Sequence, residues 1–158
     1  MAGVPTTRAR IATVALAGLA TAGFGGLAAA SDLAKAGAEV TLIDRRNHHL
    51  FQPLLYQVAT AGLSPGNIAS PIRSLLARAP NIEVHLGELN GIDLQARLVR
   101  VGEGALPYDY LVLATGVRHG YFGHPEWEQF APGLKTLEDA LDIRRRLLLA
   151  FEKAEAES

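Results

Sequence analysis

Residues 21–44 read TAGFGGLAAASDLAKAGAEVTLID: a glycine cluster, a run of small residues, a second glycine and a β-branched stretch that ends on an acid. Glycines at the start of a helix let a backbone approach a phosphate closely, and the free amides and dipole of that helix end favour negative charge. An acid closing the following strand, about 20 residues on, is where a ribose hydroxyl is bound in a dinucleotide fingerprint. The spacing therefore predicts a helix over 23–36 that stops at Gly37, then a buried strand over 39–44. Two registers fit the glycines. One uses Thr21, Gly23 and Gly26, with a β-branched residue where a tight turn prefers glycine. The other uses Gly23, Gly25 and Ala28, and the choice between them stays open.

Upstream, residues 11–30 form an uncharged run preceded by Arg8 and Arg10, and Ala28-Ala29-Ala30-Ser31 resembles a signal-peptidase site. The run reads as a signal peptide, a weak membrane anchor, or a buried strand–turn–helix unit; being mostly Ala and Gly, it is a poor span. Under the third reading residues 1–10 are a flexible leader and residues 12–20 the first strand.

Downstream, Ser70-Pro71 predicts a helix N-cap with proline at the first helical position, running to about residue 79. Residues 82–86, 88–94 and 97–101 are strand-like, and 110–115 (YLVLAT) read as the best buried strand, ending at Gly116. From Leu137 the apolar spacing is helical, with Arg144, Arg145 and Arg146 on a solvated face. The order predicts a doubly wound α/β domain with a small antiparallel insert.

Composition narrows the function classes. The 158 residues carry a formal net charge of −1, which gives no electrostatic case for a nucleic-acid partner. With no cysteine, disulfide scaffolds, iron–sulfur clusters and thiol redox centres are excluded. The adjacent His48 and His49 have no companion acids at ligand spacing and read as loop histidines rather than metal ligands. Asp44 has a plainer reading, an acid at a strand end beside Arg45 and Arg46, but the preceding glycine turn favours the ribose role.

AGFGGLAAA at 22–30, EVTLIDRRNHHLFQPLLYQVATAGLSP at 39–65, LPYDYLVLATGVRHGYFGHPEWE at 106–128 and GLKTLEDALDIRRRLL at 133–148 together resemble the type II NADH dehydrogenases, with matching order and spacing over roughly residues 22–153. The HHLFQPLLYQVATAGLSP phrase is far more specific than the glycines. The resemblance implies a Rossmann-like FAD-binding domain, with residues 11–158 as its N-terminal part and the NADH-binding unit beyond it. It implies a flavoprotein in which NADH reduces FAD and FAD reduces a membrane quinone, peripheral on the cytoplasmic, inner face of the membrane, with a homodimer left open. By position, Gly23, Gly25 and Gly26 would face the FAD pyrophosphate and Asp44 its ribose, with Thr21 and Arg45 also among the cofactor-binding residues. Phe51, Gln52, Pro53, Leu54, Gln57 and Thr60 would lie near the isoalloxazine ring, Leu89 near adenine, and Thr115-Gly116 over the cofactor. The flavin carries the chemistry, so no catalytic side chain and no metal is expected. Before Ala22 the resemblance is lost, and the chain is expected to be inactive as a fragment. Sulfide:quinone and disulfide reductases of the same superfamily need cysteines that are absent. Two alternatives remain: a fold remnant that has lost flavin, and a secreted domain cleaved after residue 30.

Overall fold

The computed structural model describes residues 10–14, 23–117 and 119–157, the first group by backbone alone. In chain order the strands and helices are β1 Arg10–Val14, α1 Phe24–Lys35, β2 Glu39–Asp44, β3 His48–Leu50, α2 Leu55–Ala59, β4 Ala69–Pro71, α3 Ile72–Leu75, β5 Ile82–Leu86, β6 Leu89–Asp93, β7 Leu98–Val101, β8 Gly104–Pro107, β9 Tyr110–Leu113 and α4 Leu137–Ala156. The chain divides into two compact units, Met1–His49 with Pro71–Gly116, and Leu50–Ser70 with Val117–Ser158.

The first unit is built on a parallel sheet of order β5-β2-β1-β9. β1 pairs in parallel with β2 on one side (Val14 opposite Ile43) and with β9 on the other (Val14 opposite Leu113). β2 sits inside the sheet because its β-branched residues fill both faces. Val40 and Leu42 pack with Ala30 and Ala34 of α1 and with Ile72 and Leu76. Ile43 faces the other way, into a cluster with Val99 and Tyr108. That second cluster belongs to the antiparallel insert β6-β7-β8. α1 buries Gly26, Ala30 and Ala34, a ridge of small residues spaced by four that lets a helix lie close on a sheet. Ala/Gly richness around residues 22–34, which mimics a signal sequence, thus has a packing cause. Asn81 ties the elements together: its side-chain amide donates to Ala34 O (2.9 Å) and Ala38 O (2.7 Å), and its own carbonyl accepts from Val40 N (2.8 Å).

The second unit packs α2 beside α4 around Leu50, Leu55, Val58, Ala59, Ile68 and Ala140. Arg144 donates to Leu63 O at 3.3 Å, and Gln52 Nε2 to Lys135 O at 3.2 Å.

Several expectations need correction. The first strand starts at Arg10, which therefore does not belong to a leader, and ends at Val14; residues 1–9 and 15–22, with Thr21, lie outside the described residues. Residues 11–30 are not one helix, since Ile11–Val14 is strand and α1 begins at Phe24. Ser70 caps no helix: Pro71 is extended (φ −57°, ψ 128°) within β4, and Ile72 N donates to Asn47 O at 3.0 Å, so α3 starts at Ile72 and stops at Leu75. The strand predicted to be best buried is a sheet edge, with Tyr110 63% and Leu113 53% exposed. His48 and His49 belong to strand β3 rather than to a loop.

Candidate nucleotide site

Strands β2 and β9 follow β1 in the chain and lie on opposite sides of it, which makes the carboxyl end of β1 a topological switch point. Open parallel sheets bind ligands there, outside the carboxyl ends of their strands. Three features of the first unit sit at that end.

The first is the start of α1. Gly23 is its N-cap in extended conformation (φ −64°, ψ 161°), no side chain caps it and no acid stands in its first turn. The first amides of a helix have no intrahelical acceptor, and a start with neither a side-chain cap nor an acid suits an anion. A Cβ built on Gly25 would touch nothing within 4 Å. Packing within the described residues therefore gives no reason for a glycine there, although it costs helix stability relative to alanine. Gly26, by contrast, is buried.

The second is Asp44, the last residue of β2, with no exposed surface. Its Oδ1 accepts from Arg46 N at 2.7 Å, and its carbonyl from Gly87 N at 2.8 Å. A carboxylate is costly to bury without polar partners, and the Arg46 amide is one such partner here. Next to it, Arg45 is half-buried, with Nε making no hydrogen bond in a spot closed to water. Leu89, half-buried, opens β6 two residues after Gly87.

The third is the turn after β9. Thr115 is half-buried, its hydroxyl 3.4 Å from Gly116 O, and Gly116 has φ 69°, a left-handed conformation that suits glycine. The register of Val14 with Leu113 puts this turn at the same sheet end as the start of the β1–α1 connection.

The first unit thus brings together Gly23, Gly25, Gly26, Asp44, Arg45, Thr115 and Gly116. Phe24, at the first position of α1, is half exposed and lies edge-on to His49 with ring centroids 5.1 Å apart.

In the second unit, Phe51 N donates to Ile68 O at 2.8 Å, and Gln52–Leu54 form a single 3-10 turn leading into α2. Phe51 and Pro53 are exposed, Gln52 and Leu54 half-buried. Gln57 donates to Tyr56 Oη (3.0 Å), and the Thr60 hydroxyl to Tyr56 O (2.9 Å) at the end of the helix. Leu55, Val58 and Ala59 are buried and Leu54 packs against their cluster, so of the side chains expected near a flavin ring Leu54 belongs to the core of this segment.

A helix start without a side-chain cap after the first parallel strand, and a buried acid at the end of the second, belong to a Rossmann-like α/β fold. The chain belongs to the pyridine nucleotide-disulphide oxidoreductase family, whose model matches residues 22–153. Among curated relatives it is 51% identical over 137 residues to the type II NADH:quinone oxidoreductase NdhA of Mycobacterium tuberculosis, and 48% identical over 141 residues to Ndh of the same organism. These matches take in 84% and 86% of this chain but 29% and 30% of those proteins. Among solved structures, NDH2 from Plasmodium falciparum in complex with NADH is similar with TM-score 0.77 and 25% identity, over 94% of this chain and 30% of that one. The sulfide:quinone oxidoreductase of Aquifex aeolicus is similar with TM-score 0.75 and 26% identity, over 91% and 32% respectively.

Proposed function

We propose that this chain is the FAD-binding portion of a flavoprotein that passes electrons from NADH through FAD to a membrane quinone. The observation that carries the reading is the pairing of α1, whose N-terminus has neither cap nor acid, with the buried Asp44 at the end of the next strand. The helix end suits a diphosphate and the carboxylate a ribose hydroxyl, the two polar parts of an adenine dinucleotide. Similarity to two type II NADH:quinone oxidoreductases over most of this chain supports the substrate pair.

Under this reading Gly23, Gly25 and Gly26 hold the pyrophosphate and Asp44 the ribose, with Arg45 beside it. Leu89 lies toward adenine, and Thr115 with Gly116 close over the cofactor. Phe51, Gln52, Pro53, Leu54, Gln57 and Thr60 are assigned to the flavin ring by the family resemblance. FAD supplies hydride acceptance and onward electron transfer; the residues named here bind it, orient it and exclude water. The same reading makes the enzyme peripheral on the cytoplasmic face of a membrane. Among the described residues, no helix is long and apolar enough to cross one.

The test is flavin uptake by the purified chain, followed by flavin fluorescence and by the visible spectrum after gel filtration. Saturable binding of FAD, competed by ADP and not by riboflavin, is the expected result. No binding at millimolar FAD by a folded chain overturns the reading in favour of a fold that has lost its cofactor.

A further inference from the structure

Strand β5 ends at Leu86, and the next residue, Gly87, leads into the antiparallel insert β6-β7-β8. Two contacts meet at this residue. Its amide donates to Asp44 O at 2.8 Å, one step past the pairing of Asp44 with Leu86 at the end of the β2–β5 ladder. Val101 Cγ1, on β7, fills the place where a Cβ on Gly87 would stand.

Val101 is held on several sides. It is stiff at χ1, as β-branched residues are, and lies opposite Leu89 on one neighbouring strand and Gly104 on the other. It also packs against the buried cluster of Ile43, Val99 and Tyr108. Ile43 is the residue before Asp44. The insert therefore reaches the end of β2 twice, by packing on Ile43 and through the hydrogen bond from Gly87 to Asp44. Close-packed interiors transmit strain rather than absorb it, so a methyl at residue 87, pressing on Val101, displaces the segment bonded to Asp44 O. Asp44 is fully buried, with Oδ1 accepting from Arg46 N at 2.7 Å, and a shift of its backbone moves its carboxylate.

We propose that Gly87 is a positioning residue for Asp44: the lack of a side chain at 87 lets Val101 seat, and that seat sets where the Asp44 carboxylate stands. The inference rests on the ribose role given to Asp44 above. It makes the packing of the antiparallel insert a determinant of affinity for the adenosine half of the cofactor.

Calorimetric titration of the whole chain with FAD and with ADP tests it, alongside the carboxyl carbon resonance of Asp44 in the cofactor-free chain. Gly87→Ala is expected to weaken both ligands about tenfold and to move the Asp44 resonance. Val101→Ile crowds Gly87 from the opposite side and acts in the same direction, should Gly87→Ala fail to fold. Val101→Ala makes room for the new methyl, so adding it to Gly87→Ala restores most of the affinity and returns the resonance. In an Asp44→Ala background, Gly87→Ala costs no further affinity, because its effect passes through the carboxylate. A glycine needed for folding alone lowers the denaturation midpoint and leaves the dissociation constants of the folded chain unchanged, which overturns the proposal. An undiminished effect in the Asp44→Ala background, or one that Val101→Ala does not relieve, overturns it as well. If the unaltered chain binds neither FAD nor ADP, the flavin reading fails and the resonance decides alone. A resonance that moves with Gly87→Ala and returns with Val101→Ala sustains the positioning of Asp44, and one that does not move overturns it.

Discussion

Two helices of this protein begin in opposite ways. α4 opens with Thr136 as N-cap: Thr136 Oγ1 accepts from Asp139 N at 3.1 Å, Asp139 Oδ2 accepts from Thr136 N at 2.9 Å, and Glu138 and Asp139 stand in the first turn. Its start is satisfied by its own side chains. α1 opens with a glycine, no side-chain cap and no acid. The same backbone problem is thus solved by a reciprocal side-chain cap in one helix and without a side-chain cap in the other. Sequence that neglects local stability at one helix end, in a chain that caps another reciprocally, points to a ligand at the neglected end.

The largest effect expected from breaking this comparison is on cofactor affinity. Asp44→Ala is expected to weaken FAD binding about tenfold to a hundredfold, because a hydrogen bond to a charged group contributes about 1.5–3 kcal/mol. Fluorescence titration reads the change, with chemical denaturation as a control for the loss of the Arg46 N bond. An unchanged dissociation constant would remove the ribose role.

Next comes the capped helix. Thr136→Ala should destabilise the chain by about 1–2 kcal/mol, since the residue is buried and its hydroxyl serves the helix start. FAD affinity should not change. The denaturation midpoint measures the first and titration the second.

Gly25→Ala sharpens the contrast because its two effects have opposite signs. Open space around the new Cβ means no clash, so the cofactor-free chain should gain up to about 1 kcal/mol, or roughly 2–4 °C in Tm. FAD binding should weaken, since the methyl takes the room that a close backbone–phosphate approach needs. Gain of both stability and affinity would place the anion elsewhere.

The smallest effect concerns Asp142. The hydrogen bond from Arg145, with Arg146 adding to it, holds this carboxyl below its ordinary value. A depressed folded-state pKa contributes stability above the unfolded value, lost as pH falls through the folded one. Asp142→Asn should therefore cost a little at neutral pH and nothing at strongly acid pH, with the difference closing from about pH 4 downward and shrinking in salt. A constant offset across that range would show a packing effect instead.

The sequence made the central sheet legible where composition and burial agree. Glu39–Asp44 is β-branched and bounded by a glycine and a charged turn, and it forms as expected. Strand β8 was not legible, because Gly104, Ala105 and Pro107 have low strand propensity and are paired only through β7. The start of β1 was obscured by Arg10, whose charge suggests a leader while its backbone pairs with Glu39. The end of α2 was hidden for another reason: Ala61, not the neighbouring Gly62, takes the left-handed conformation (φ 64°). Gly62 N and Leu63 N both turn back to Gln57 O, at 2.7 and 3.0 Å, and hold Ala61 there. The place of Asp44 was legible from the motif, since it ends the strand after the glycines as expected. The core role of Gly26 and the open space at Gly25 needed coordinates, because a string of letters does not say which glycine faces a sheet.

Asn81 carries a consequence for how the first unit opens. One residue, 43 and 47 positions from its side-chain partners, holds the last turn of α1, the residue before β2 and, through its own carbonyl, Val40. These segments cannot fray separately while that amide is in place. The end of α1 and the beginnings of β2 and β5 should thus exchange their amide hydrogens as one cooperative unit, slow and nearly synchronous. Trimming the side chain to alanine would release the end of α1 and Ala38 from that block while the backbone bond from Val40 N stays.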